Sequence, residues 1–259
     1  MLEKIFKIQE NNTNVKTEVI GGITTFMTMA YILAVNPTML AAAGMDKTAV
    51  LMATALAAFI GTLVMALLAN YPFALAPGMG LNAYFAYTVC GSMGYSWQIA
   101  LAAVLVEGVI FIALSLTNVR EAIFNAIPFN LKKGVSVGIG LFIAFIGLQG
   151  AYLVVDNDAT LLSYVDFAGD FHTKGICAIL ALIGLFATVI LYIKNVKGSI
   201  LIGILVTWIL GMLAQATGLY TVDAANGFYS LYPTLGITDF SAIKLTFGQV
   251  FKADFSNVS

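Results

Sequence analysis

Apolar positions in this chain come in long blocks, with polar residues confined to short connections and a few isolated sites. A helix needs roughly 20 apolar residues to cross a hydrocarbon core about 30 Å thick. By that measure the blocks predict seven spans, at about Ile20–Leu40, Ala49–Leu68, Pro72–Cys90, Trp97–Leu116, Gly134–Val155, Gly175–Ile193 and Ser199–Thr217. The expected fold is an all-α polytopic membrane protein. No short repeat is evident. Seven spans followed by a mixed tail suit one half of an inverted-repeat transporter, because an odd number of spans inverts the second half.

The third block differs from the others. Tyr71-Pro72-Phe73-Ala74-Leu75-Ala76-Pro77-Gly78-Met79-Gly80-Leu81-Asn82-Ala83-Tyr84 has membrane-depth hydrophobicity, yet its Pro, Gly and Asn content argues against an unbroken helix. Backbone that leaves the helix inside a bilayer needs protein or a water-lined cavity to satisfy its freed groups. Two readings stay open. In one, Pro77 and Gly78 simply begin a helix whose true span runs from Met79 onward, and Asn82 is an ordinary interhelical hydrogen-bond donor. In the other, Ala76–Ala83 is a short extended or irregular segment at depth. Gly78 and Gly80 then allow close backbone approach, Asn82 offers donors and an acceptor, and the next half-helix aims its N-terminal amides at the site. An amide with both capacities suits a neutral heterocycle.

Composition supports the membrane reading. Hydrophobic residues make up 60% of the 259 positions and charged residues only 10%, with a mean hydropathy of +0.95; soluble domains carry about 25% charged residues. The net charge of −1 gives no sign of nucleic-acid binding. Basic residues set the orientation. Lys4, Lys7 and Lys16 precede span one, Arg120, Lys132 and Lys133 separate spans four and five, and Lys194 and Lys197 separate spans six and seven. A cytoplasmic N-terminus puts all three groups on the cytoplasmic side and the loop with Asp156, Asp158, Asp166 and Asp170 outside; Lys47 and Lys174 are minor exceptions. Met1–Lys16 is too polar for a cleavable signal peptide.

Few other residues carry candidate chemistry. Gly21, Thr25, Thr28 and Asn36 fall within a sector of about 80° on an ideal helix, so Thr25 and Thr28 are pocket candidates, unless their hydroxyls bond their own helix backbone. Glu107 is the one acid well inside a span, a candidate proton carrier or a partner for a polar group. Cys90 and Cys177 read as buried thiols without disulfide or metal spacing, and His172, in the acidic loop, as solvated. No phosphate-binding loop, paired acids or His/Cys cluster is present, so neither an enzyme nor a metal site is expected. Asn118–Asn130 reads as an amphipathic helix at the cytoplasmic interface, stopped by Pro128. Residues 219–259 carry Tyr220, Tyr229, Tyr232 and Phe240 at interface depth and predict no particular structure.

Three ordered blocks resemble the AzgA-like purine permeases, the guanine/hypoxanthine branch of the nucleobase transporter superfamily. They are Gly21-Gly22-Ile23-Thr24-Thr25-Phe26-Met27-Thr28-Met29-Ala30-Tyr31-Ile32-Leu33-Ala34-Val35-Asn36-Pro37, then Ala76–Phe85, then Arg120-Glu121-Ala122 with Ala126-Ile127-Pro128 and Leu131–Gly134. The resemblance implies fourteen spans as two inverted repeats of seven, with spans three and ten broken by short strands around the nucleobase. It assigns 1–117 to a core domain, 118–133 to a cytoplasmic connector, 134–218 to a gate domain and 219–259 to an external loop before an eighth span. It implies that Asn82 contacts the purine, with Gly78, Met79, Gly80 and Ala83 around it. It further implies proton-driven uptake of hypoxanthine, guanine or adenine across the cell (inner) membrane, with no cofactor beyond the gradient. The acidic residues that the family uses in spans eight and ten lie outside this chain, so a C-terminal half is an expected partner beside the purine and the lipid bilayer, and a homodimer is compatible. The alternatives are an anion or sulfate carrier, which would favour a basic residue near the break where none lies, a channel with a re-entrant loop at Pro77–Asn82, and a seven-helix receptor.

Overall fold

In the computed structural model, residues 6–117, 119–233 and 240–255 are described. Lys4 of the first basic group, Asn118 at the start of the connector, and positions 234–239 and 256–259 of the tail lie outside them.

The helices begin where side chains can replace missing backbone acceptors. Asn14 accepts the Thr17 amide at 2.9 Å and starts α1 (Val15–Met29). Asp46 accepts from Ala49 at 2.8 Å and starts α3 (Lys47–Val64), and Ser96 starts α5 (Trp97–Leu116). Between α1 and α2 (Ile32–Ala41) the helix is interrupted at Ala30 and Tyr31, and Pro37 inside α2 withholds a further backbone donor. Helix α3 runs on as a π-helical turn over Met65–Ala69. After α4 (Met79–Ala83) comes a π-helical stretch, Tyr84–Ser92.

Among the described residues six helices are long and apolar enough to cross a membrane: Val15–Ala41, Lys47–Ala69, Trp97–Leu116, Phe129–Gly150, Phe171–Ile193 and Ser199–Ala216. Their large apolar side chains point outward, as with Val106, Ile110 and Ile112 on α5, the arrangement that lipid rather than water rewards. Six spans thus match the expectation of a polytopic helical protein. The seventh, at Pro72–Cys90, is helical only over Met79–Ser92, about 21 Å at 1.5 Å per residue, and does not reach spanning length as a helix.

The connector forms α6 (Val119–Ala126), which ends before Pro128. The next helix, α7 (Phe129–Gly150), begins earlier than its apolar run suggested. Its two lysines fold back over aromatic faces, Lys132 Nζ 3.8 Å from the Phe124 ring centre and Lys133 Nζ 4.6 Å from that of Phe129, while Arg120 lies over Phe111. The acidic loop holds a small antiparallel hairpin, β1 (Val155–Asn157) with β2 (Leu161–Ser163), which the sequence reading did not foresee.

The chain forms two compact units. One takes in Tyr31–Leu141 with the described parts of Met1–Asn11 and Ile237–Ser259; α3 and α5 there meet the 3-10 turns Phe240–Leu245 and Gln249–Lys252. The other comprises Asn12–Ala30 and Phe142–Gly236. Its centre is the pair α8 (Ile176–Ile193) and α9 (Ser199–Ala216). These cross through a reciprocal small-residue contact. Thr188 on α8 bonds the Gly184 carbonyl and packs on Gly203 of α9; Thr207 on α9 bonds the Gly203 carbonyl and packs on Gly184. A β-carbon added at either glycine would collide with the facing threonine hydroxyl. Beside this crossing, Ile176, Ala214, Tyr220 and Phe228 form a buried cluster. The start of the tail is tied to α9 by Trp208 Nε1 donating to the Leu231 carbonyl at 2.8 Å and by Gln215 Oε1 accepting from the Leu231 amide at 2.7 Å. Solvated His172 was expected, and it is exposed, one ring nitrogen 3.1 Å from the Leu219 carbonyl.

Overpacking this crossing should cost about 1–3 kcal/mol. Gly203→Leu is expected to lower the unfolding midpoint of the detergent-solubilised protein, and Leu205→Ala, at an exposed site on the same helix, to leave it nearly unchanged. Equal midpoints for Gly203→Leu and the parent would contradict the packing described.

Candidate functional site

The break in the third block has a clear structural form. Asn70 ends the preceding helix in the left-handed region (φ 53°, ψ 39°), which Asn tolerates better than most residues. From there the backbone is non-helical through Gly78. Pro72 and Pro77 have no amide hydrogen to satisfy, and the Leu75 amide donates to Thr62 Oγ1 at 2.9 Å. The same hydroxyl reaches the Leu75 carbonyl at 3.4 Å. One side chain of α3 therefore serves both polar groups of one residue in the extended segment. Gly61 lies beside this contact, where a β-carbon would meet Leu75 Cβ at 3.5 Å, an ordinary van der Waals distance.

Gly78 is extended (φ −80°, ψ 118°), and the Asn82 amide closes the first helical turn on its carbonyl at 3.2 Å. The structure follows the reading in which a helix begins after Pro77 and Gly78: Met79–Ala83 is helical, and the irregular segment does not run on to Ala83. The amides of Met79, Gly80 and Leu81 precede that first bond, as at any helix start. Gly80 and Met79 are half-buried, Gly78 is exposed and Ala83 is buried. The nine-residue π-helical continuation is an uncommon geometry that concentrates at functional sites.

Asn82 joins a polar trio drawn from three helices. Its Nδ2 donates to Asn36 Oδ1 of α2 at 2.6 Å, and Asn36 Nδ2 donates to Thr54 Oγ1 of α3 at 2.7 Å. Asn36 and Thr54 are each 3% exposed, while Asn82 is half-buried. Asn82 Oδ1 has no hydrogen bond among the described residues. A half-buried amide with a free acceptor and a spare N–H beside an extended backbone can hold a small planar heterocycle.

The remaining candidates lie elsewhere. Thr25 donates to the Gly21 carbonyl at 2.9 Å and Thr28 to the Thr25 carbonyl at 2.7 Å, so both hydroxyls bond their own helix. They belong to the unit of α8 and α9, and Asn36 to the other. Near Thr25, an open groove of about 440 Å³ is lined by Thr17, Ile20, Gly21, Thr24, Thr25 and Lys197. Glu107 sits exposed on α5 with no bonding partner among the described residues. Both cysteines are free, and no described group of three His, Cys, Asp or Glu could hold a metal. Sequence reasoning missed Thr54 and Thr62. The available signal was that they are hydroxyls interrupting the apolar body of span two.

A family model described as "Permease family", that of the xanthine/uracil permeases, matches residues 16–249. The chain belongs to this permease family. It is 50% identical over 237 residues to a protein of Methanocaldococcus jannaschii named as a permease, covering 92% of this chain and 52% of the relative. It is 45% identical over 229 residues to the guanine/hypoxanthine permease PbuO of Bacillus subtilis, covering 88% of this chain and 50% of that protein. The adenine permease AdeP of Escherichia coli is 42% identical over 213 residues, 82% of this chain and 46% of its own length. The chain thus spans about half the length of the curated relatives it matches. The resemblance to AzgA-like permeases holds.

The hydroxyl of Thr62 is the testable support of the extended segment. Thr62→Val strands the Leu75 amide at a cost of about 1–3 kcal/mol. The substitution should lower the unfolding midpoint of the solubilised protein, and Thr62→Ser should restore it. Identical midpoints for Val and Ser at this position would disprove the clamp.

Proposed function

We propose that this chain is the N-terminal half of a purine nucleobase permease, which takes up hypoxanthine, guanine or adenine by proton-coupled alternating access. The observation that carries the reading is the Asn82 amide, held by a buried polar partner at the junction between an extended segment and a helix start. It is supported by relatives named as guanine/hypoxanthine and adenine permeases over most of the chain. In this reading Asn82 bonds the purine edge, and Gly78, Met79, Gly80 and Ala83 supply backbone around it. Thr25 and Thr28 belong to the wall of the transport path rather than to the first contacts. A second half would add the opposite side of the pocket, and the N-terminus would face the cytoplasm. Spans one to four would form the core and spans five to seven the gate. Glu107 is assigned to proton coupling, because a carboxylate in an apolar helix is costly to retain without a role.

In cells expressing the complete coding sequence, Asn82→Ala should raise the KM for labelled hypoxanthine about tenfold, the loss of one or two hydrogen bonds in a dry site, with normal membrane levels. Unchanged kinetics would remove Asn82 from the site. Glu107→Gln should abolish the dependence of uptake on external pH; retained dependence would make Glu107 structural.

A further inference from the structure

We propose that the corner joining α5, α6 and α7 is a docking surface for anionic phospholipid, with Arg120, Lys132 and Lys133 taking the headgroup phosphate and the apolar side chains beside them the upper part of the acyl chains. This is independent of the purine site. It starts from three cations that have no acid to pair with. The Arg120 guanidinium carbon lies 4.6 Å from the centre of the Phe111 ring, Lys132 Nζ 3.8 Å from that of Phe124, and Lys133 Nζ 4.6 Å from that of Phe129. Glu121 is the one acid in the sequence from Val119 to Gly134, and among the described residues no salt bridge joins it to any of the three. A ring face attracts a cation through its quadrupole without neutralising its charge. Among the described residues none of the three donates a hydrogen bond, so their N–H groups are open to an anion.

The surroundings fit a lipid better than a soluble anion. Ile123, Phe124, Phe129 and Leu131 are each more than half exposed, in a segment flanked on both sides by helices of membrane-spanning length. On an ideal helix Glu121 and Asn125 of α6 stand about 40° apart, and Val119, Ala122, Ile123 and Ala126 fill a separate sector of about 100°. That division suits a helix lying in a membrane surface. A free phosphate or an acidic protein would complement the three cations and leave the apolar groups in water. A phospholipid covers both. The rings also fix where the cations stand, so less side-chain freedom is lost when a phosphate arrives. Lys194 and Lys197, the other basic pair expected on this side, have neither a ring nor an acid partner among the described residues. With the N-terminus in the cytoplasm, the corner faces the leaflet in which anionic lipid concentrates.

The test follows the unfolding midpoint of the complete protein in detergent micelles as phosphatidylglycerol or phosphatidylcholine is added, since a ligand bound by the folded state alone raises it. Phosphatidylglycerol should raise the midpoint more than phosphatidylcholine. Glycerol phosphate, which has the anion and no acyl chain, should leave it unchanged at the same concentration. Each basic residue near an anionic surface strengthens association about fivefold. Arg120→Gln combined with Lys132→Gln and Lys133→Gln should therefore need at least about tenfold more phosphatidylglycerol for the half-maximal rise. Lys132→Arg with Lys133→Arg should keep the parental response, and so should Lys194→Gln with Lys197→Gln. An unchanged response in the triple variant would overturn the proposal, as would an equal loss in the Lys194 and Lys197 variant, which would show basic charge acting without regard to place. Equal rises with the two lipids would overturn it in favour of a protein partner, and a full rise with glycerol phosphate in favour of a free-anion site. Should the triple variant fail to fold, Lys133→Gln alone, at an exposed position, decides by a shift of about fivefold or none.

Discussion

Backbone that leaves a helix within apolar surroundings must find its hydrogen bonds in the protein, and the candidate site depends on how Tyr71–Gly78 meets that requirement. Prolines remove two of the donors outright. The Thr62 hydroxyl takes both polar groups of Leu75. With the extended segment held against α3, the following helix begins at Met79, and its first full turn carries Asn82 toward α2 and α3.

The other unit is organised by a different solution to the same surroundings. In lipid there is little hydrophobic gain in bringing two apolar helices together, so close van der Waals contact must hold them. Two glycines facing two threonines give α8 and α9 that contact, with each hydroxyl satisfied by its own helix. Polar side chains thus act in two modes in this chain. The hydroxyls of Thr188, Thr207, Thr25 and Thr28 donate to carbonyls of their own helices. Among the described residues the side chains of Asn36, Thr54 and Asn82 bond one another, and Asn82 retains spare capacity.

Much of this was legible in the sequence where the signal is local. Apolar length located six spans, and Pro128 marked the end of the connector helix. The Pro and Gly content of 71–80 coincides with the non-helical residues 70–78, and the helix begins at Met79, where one of the two readings put it, and not beyond Ala83. Signals that depend on distant partners were not legible. The bonds from Asn36 to Thr54 and from Asn82 to Asn36 join residues 18 and 46 positions apart, and a threonine in an apolar span reads as bonding its own backbone. The early start of α7 was hidden because Lys132 and Lys133 look like loop charges until their ammonium groups are seen over aromatic rings.

We propose that a purine lies against the start of the helix at Met79. It is tested most directly by replacing Met79 with cysteine in the complete protein, with Cys90 and Cys177 and any further cysteines removed, and measuring its rate of modification by a water-soluble thiol reagent. Hypoxanthine at saturating concentration should slow that modification severalfold, while a nucleoside too large for the site should not. Equal rates with and without hypoxanthine, in a variant that still takes up the purine, would contradict the account.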